Sequence, residues 1–251
     1  MKKPRLSKRP HPKEDLLQRR AELLRQIAAI ARPTITADSH EPLLEYGNSK
    51  LGREGRFAKT VLVWNLPAMM TCPGASTWCS THCYNADERT EKFPLDRWRA
   101  NLAWFNERPA GLKAVILKHI DRAGAPIAFR IHSSGDFFSN EYIKFWTSLC
   151  RGCPHVQFWA YTRSWQVSKL AESLQELREL PNIEVFASWD ETMPSPPTHW
   201  RLSTVLLEGK RRSHGDKSTL QCPEEAGGVP SCADCGYCFF RRPGHVNFAL
   251  H

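Results

Sequence analysis

Nine cysteines dominate the chemistry this 251-residue chain could perform, and they fall into three groups. Cys222, Cys232, Cys235 and Cys238 follow the pattern C-x9-C-x2-C-x2-C. Cys72, Cys79 and Cys83 follow C-x6-C-x3-C, and Cys150 and Cys153 form a lone C-x2-C. The N-terminal residues Met1–Arg5 are not followed by an apolar stretch, so no secretory signal is expected. A reducing cytoplasm is then the expected compartment, where clustered thiols bind metal more often than they form disulfides. The C-terminal triple at x2 and x2 is spaced for one loop to wrap several corners of a [4Fe-4S] cluster. Pro223, Gly227, Gly228, Pro230 and Gly236 give that loop its turns. Zinc held by the same thiolates is the alternative. The first group has only three thiols. Three thiolates can hold a four-iron cluster and leave one iron open, as catalytic zinc sites keep a position free for chemistry. A distant fourth cysteine, or burial as plain apolar thiols, is the competing reading. Cys150 and Cys153 close a helix ahead of Pro154 and are expected to be structural, with a redox pair as the alternative.

Elements must carry these groups. Short apolar runs predict strands at 60–66, 127–132, 156–162 and 183–189, with a weaker one at 202–207. Helical periodicity covers 13–31, 95–106, 111–122, 140–151 and 165–179. Strands alternating with helices predict βαβ units and a parallel sheet. Four or five strands fit an open or partial (βα) barrel with a Cys-rich C-terminal extension. Three regions are expected: a basic arm with an amphipathic helix at 1–40, an α/β core at 41–215 and a Cys-rich segment at 216–251. In such folds functional residues gather at the C-terminal strand ends. Here the first cysteine loop follows strand one, and Ser133-Ser134-Gly135-Asp136 follows strand two. Arg163-Ser164 follows strand three, and Asp190 follows strand four. Recurrence at four ends predicts a shared pocket.

Each candidate has a plainer reading. Asp136 could bind a ligand or cap a turn beside Ser139 and Asn140. His132 could be catalytic or a satisfied core histidine. With Arg130 it alternates against Phe129 and Ile131, which aims both at the pocket side of the strand. Arg163 and Ser164 could bind a phosphate or carboxylate, or simply turn the chain. Asp190 could be a general base or a solvated loop residue. The nine tryptophans are mostly core candidates, with base stacking open to one or two.

Charge adds a second theme. Lys+Arg total 35 against 26 Asp+Glu, a net +9. Residues 1–25 hold nine basic and three acidic residues, so six of the nine charges sit there. Lys2, Lys3, Arg5, Lys8, Arg9, Arg19 and Arg20 make that arm, and Lys210-Arg211-Arg212 is a smaller patch. It reads as either a solvated tail or a phosphate-contacting arm for nucleic acid. No apolar run reaches the roughly 18 residues a membrane span needs, so no membrane partner is expected. Oligomeric state is not legible.

The stretches Leu66-Pro67-Ala68, Thr71-Cys72-Pro73-Gly74-Ala75 with Cys79 and Cys83-Tyr84, Arg130–Phe137 and Ala160–Trp165, with the C-terminal cysteines, resemble a phage- and plasmid-borne family. It is named after gene product eighty-eight of a mycobacteriophage, and the resemblance spans about residues 46–240. That family carries no settled activity. A more distant likeness is to radical S-adenosylmethionine (SAM) enzymes. It implies Cys72, Cys79 and Cys83 as cluster ligands and Ser133, Ser134, Gly135 and Asp136 as the methionine amino-group site. It also implies Tyr84 packing on adenine, although that family places its aromatic where this chain has His82. The spacing departs from that family's C-x3-C-x2-C. The expected function is an iron–sulfur protein with a radical-SAM-like core, with SAM-dependent radical chemistry if it is an enzyme. The alternative is a non-catalytic nucleic-acid-binding protein of a mobile element with structural or redox-sensing iron–sulfur or zinc sites.

Overall fold

The computed structural model describes residues 35–47, 50–52, 61–83, 85, 92–124, 127–206, 219–240 and 242–249. β1 (Leu44–Tyr46) pairs antiparallel with β2 (Val61–Trp64). β2 then leads into a parallel series of β3 (Ile127–Ile131), β4 (Val156–Thr162), β5 (Ile183–Trp189) and β6 (Leu202–Leu206). β7 (Thr219–Gln221) and β8 (His245–Ala249) complete eight strands in the order β1-β2-β3-β4-β5-β6-β8-β7. Seven of the eight run parallel, and the sheet ends at β1 and β7 without closing. Every residue of Val61–Trp64 is buried, as expected where both faces of a parallel strand are covered.

The helices are α1 (Thr77–Thr81), α2 (Lys92–Glu107), α3 (Pro109–Ala123), α4 (Asn140–Gly152), α5 (Ala171–Arg178) and α6 (Cys232–Cys235). Pro109 opens α3 at a position whose N–H is spare, and the side chain of Ser139 caps α4. One sheet face packs on these helices: Leu62, Trp64, Phe129, Ile131 and Phe158 meet Ile116, Tyr142, Trp146 and Leu174. The other face has no long helix. Val61, Val63, Ala128 and Trp159 pack there with Leu51, Ala233 and Phe239, and Phe186 packs with Cys222 and Val246. The Cys-rich segment is therefore the second layer of the fold, and through β7 and β8 it joins the sheet itself.

Two expectations change. Among the described residues eight strands replace the four or five expected: β1 and β7 are three residues each and too short to show a period, and the five-residue β8 is a third that the sequence reading does not include. The helix expected over 165–179 is two single 3-10 turns, Ser164–Gln166 and Ser168–Leu170, followed by α5. Val167 breaks it with an extended backbone, φ −90° and ψ 100°. The expected helix at 13–31 lies outside the described residues. Among the described residues no helix is long and apolar enough to cross a membrane.

Candidate functional site

The C-terminal strand ends and the sheet face covered by the Cys-rich segment line a cavity of about 770 Å³. Cys72, Cys79 and Cys83 line it at the strand ends, and Cys222, Cys232, Cys235 and Cys238 line it from the covering layer. None of these seven thiols is in a disulfide. Cys150 and Cys153 lie in the helix-side core instead. The Asn182 side-chain amide donates to the carbonyls of Cys150, Cys153 and Val156 at 3.0, 2.9 and 3.2 Å, which makes that corner a structural knot.

The first cysteine loop is pinned from three sides. The Ser76 hydroxyl caps α1 by accepting from the Cys79 N–H at 2.9 Å, and itself donates to Asp190 Oδ2 at 2.5 Å. Arg163 Nη1 donates to the same oxygen at 2.5 Å. Both members of this ion pair are nearly buried, with side-chain exposures of 12% and 9%. Asp190 Oδ1 accepts from the Thr192 N–H and hydroxyl. Asp190, expected as a general base or a loop residue, thus uses Oδ2 to fix the loop that carries Cys79 and Oδ1 to fix its own turn. Gly74 lies so close to the end of β4 that a Cβ there would sit 2.2 Å from the Arg163 carbonyl oxygen. Burial raises the pKa of Cys72, with the Asp136 carboxylate adding to it, and burial raises that of Cys79 against the pull of Arg163.

The Ser133–Asp136 turn is built by its neighbours. Asn65 Oδ1, at the end of β2, accepts from the backbone N–H groups of Ser133 and Ser134 at 2.7 and 2.9 Å. Leu66 N–H donates to the Ser134 carbonyl at 3.0 Å. Gly135 has φ +85°, and a Cβ there would meet Leu66 Cβ at 2.7 Å, so glycine is required. Ser133, Ser134 and Gly135 line the cavity. Asp136 is 5% exposed and its oxygens are taken by internal donors. Oδ1 accepts from Phe137 N–H at 2.7 Å and Thr162 Oγ1 at 2.6 Å, and Oδ2 accepts from Arg163 N–H at 2.9 Å. Burial raises its pKa against those bonds. The carboxylate thus clamps the end of β3 to the end of β4. Ser164 is fully buried in the same turn, with its N–H donating to Thr162 Oγ1.

His132 departs from strand alternation. Its φ of +70° breaks the pleat and sends the ring into the helix-side core. There its Nε2 pairs with the Tyr142 hydroxyl at 2.7 Å, and its ring stacks on Tyr142. Burial and the Arg130 charge push its pKa down to about 3, so it is a neutral core histidine at ordinary pH.

The second cysteine group rests on residues 50–52. The Cys232 and Ala233 N–H groups donate to the Lys50 and Leu51 carbonyls at 2.9 and 3.1 Å. Ser231 caps α6 through the Asp234 N–H. Lys50 pairs with Glu225, and Glu225 also accepts from Ala249 N–H in β8 at 2.7 Å. Burial pushes Cys232 up to about 12 against Arg130, and pushes Cys238 up to about 11 against a hydrogen bond from Tyr161. Burial also raises Cys222. Loading any metal on these thiols would release their protons.

Several of these residues carried no sequence signal for function: Asn65, Ser76, Lys50 and Tyr161 are single polar residues at strand ends or in turns. Tyr84, the arm residues 1–25 and Lys210–Arg212 lie outside the described residues. Among the described residues no three His, Cys, Asp or Glu side chains are close enough for one metal ion. A four-iron cube asks for a wider spacing, because irons and sulfides separate its corner ligands.

A family model described as Gene product 88 matches residues 42–241. The Gene 88 protein of Mycobacterium phage L5 is 30% identical over 192 residues, 67% of this chain and 77% of that protein. The Gene 88 protein of Mycobacterium phage D29 is 29% identical over 198 residues, 68% of this chain and 79% of that protein. No solved structure matches the chain.

Proposed function

The chain belongs to the gene product 88 family, and we propose that it is an iron–sulfur protein whose clusters face one shared ligand cavity. The observation that carries this reading is the convergence of seven free cysteines, from two distant stretches of chain, on one cavity wall. Thiolate-only ligand sets select iron–sulfur clusters or zinc. Cys72, Cys79 and Cys83 would hold a cluster with one iron open to the cavity, and Cys222, Cys232, Cys235 and Cys238 would hold a second with no open corner. Such a pair would supply one-electron chemistry and a coordination site for a ligand.

The chain's own residues have separable tasks. Ser76, Asp190 and Arg163 hold the Cys79 turn, and Gly74 lets that loop lie against β4. Lys50, Leu51 and Ser231 hold the second cysteine turn. SAM would be the ligand at the open iron, as the resemblance to radical SAM enzymes implies, and a SAM-dependent radical reaction the activity. Ser133, Ser134 and Gly135 are the turn residues that line the cavity beside it, and Asp136 is occupied. Electron paramagnetic resonance of the reduced, anaerobically purified protein tests this. A cluster signal that changes on adding SAM supports the reading, and a cluster signal indifferent to SAM removes the SAM part of it.

A second reading concerns the arm. Its six net positive charges favour salt-dependent contact with nucleic acid phosphates. Deleting residues 1–25 would weaken DNA or RNA binding, and binding that survives the deletion unchanged would exclude the arm.

A further inference from the structure

Three described cations reach the cavity wall: Lys50, Arg130 and Arg163. Two are neutralised within the protein, Lys50 by Glu225 and Arg163 by Asp190. Arg130 has no carboxylate partner among the described residues. It projects from β3 between the two cysteine groups, on the sheet face opposite Phe129 and Ile131. Its Nε donates to the His132 carbonyl at 3.1 Å, and its guanidinium lies 5.4 Å from the centre of the Tyr161 ring. These two contacts fix its plane without using its terminal amino groups. Arg130 is half-buried and lines the cavity, and no described residue takes those groups.

A second observation points the same way. Ser134, 3% exposed on the same cavity wall, has a buried hydroxyl with no hydrogen-bond partner among the described residues. Its backbone N–H is already held by Asn65, so the hydroxyl is the group left to bind something. A buried hydroxyl without a partner destabilises the fold, and a ligand oxygen would relieve that cost. Around these donors the walls are aromatic: Trp159, Tyr161, Phe239 and Phe248.

We propose that Arg130 and Ser134 form an oxyanion-binding site for a small molecule with a carboxylate or phosphate head and a flat apolar body. The fork of Arg130 would take the head in a two-point contact, and the aromatic walls would take the body. The site stands on the chain's own donors and needs neither cluster nor SAM, so it survives if the metal reading fails.

The test uses the full-length, anaerobically purified protein and three probes followed by NMR: benzoate, phenyl phosphate and the neutral isostere benzamide. At least one anion should saturate and bind about tenfold or more tightly than benzamide, the usual worth of one charge-assisted contact. Comparing benzoate with phenyl phosphate says which head the site takes. Arg130→Gln should erase the preference for the anion, and Ser134→Ala should weaken it, with folding checked by circular dichroism. Equal binding of all three probes to the unmodified protein overturns the proposal without any variant. So does anion binding that Arg130→Gln leaves intact. An Arg130→Gln protein that loses metal while the unmodified protein shows no anion preference would also overturn it, assigning Arg130 as counter-charge to the cysteine groups.

Discussion

Replacing Asp136 separates a structural clamp from a ligand acceptor. Its carboxylate holds the Phe137 N–H, the Thr162 hydroxyl and the Arg163 N–H across the ends of β3 and β4. In Asp136→Ala the Thr162 hydroxyl can rotate to another acceptor, but the two backbone N–H groups cannot. Each orphaned buried donor costs about 1–3 kcal/mol, so the loss should be about 4 kcal/mol. A chain of this size loses roughly 2–4 °C per kcal/mol, which puts the fall in Tm at about 8–16 °C. Asp136→Asn keeps the shape but turns one oxygen into a donor facing the Arg163 N–H or the Thr162 hydroxyl, so it should recover less than half of the loss. Urea denaturation and a thermal melt of each variant read this directly. If Asp136→Asn melts within about 2 °C of the unmodified protein and instead abolishes the response to SAM, the clamp assignment is wrong.

Gly74→Ala drives a Cβ to 2.2 Å from the Arg163 carbonyl oxygen. It should cost roughly 1–3 kcal/mol and deplete metal at Cys72, Cys79 and Cys83 while the C-terminal group keeps its own, as metal analysis would show. Cys150→Ala and Cys153→Ala should leave metal content unchanged and lower stability by only about 1 kcal/mol each, because both thiols lie in the helix-side core. For His132 the folded pKa, about 3, lies below the ordinary 6.5. The unfolded chain alone then takes up a proton between those values, so this group's contribution is complete above pH 6.5 and fades as pH falls towards 3. The full span is of the order of 5 kcal/mol, and His132→Asn should flatten the stability-versus-pH curve over that window.

The central strands were legible because each is an apolar run between turn residues, and their parallel order followed from the helices between them. The two cysteine groups were legible by spacing, but their meeting on one cavity was not. That meeting depends on β7 and β8 bringing residues 219–249 back onto the sheet, and pairing between distant short strands leaves no local pattern. Strand ends were the right place to look, yet the roles there differ from residue type alone. Asp136 and Asp190 bind the protein's own donors, and a single positive φ turned His132 from the pocket side to the core. Arg130 emerged as the open cation only when the partners of Lys50 and Arg163 were known.

The most direct test of the central claim is iron and acid-labile sulfide analysis of the anaerobically purified protein. The account predicts a brown protein with iron and sulfide in equal amounts, about four of each per cluster. Loss of one share should follow when Cys72, Cys79 and Cys83 are replaced by Ser together, and the other share when the C-terminal four are replaced. Stoichiometric zinc with no sulfide and no chromophore would contradict it.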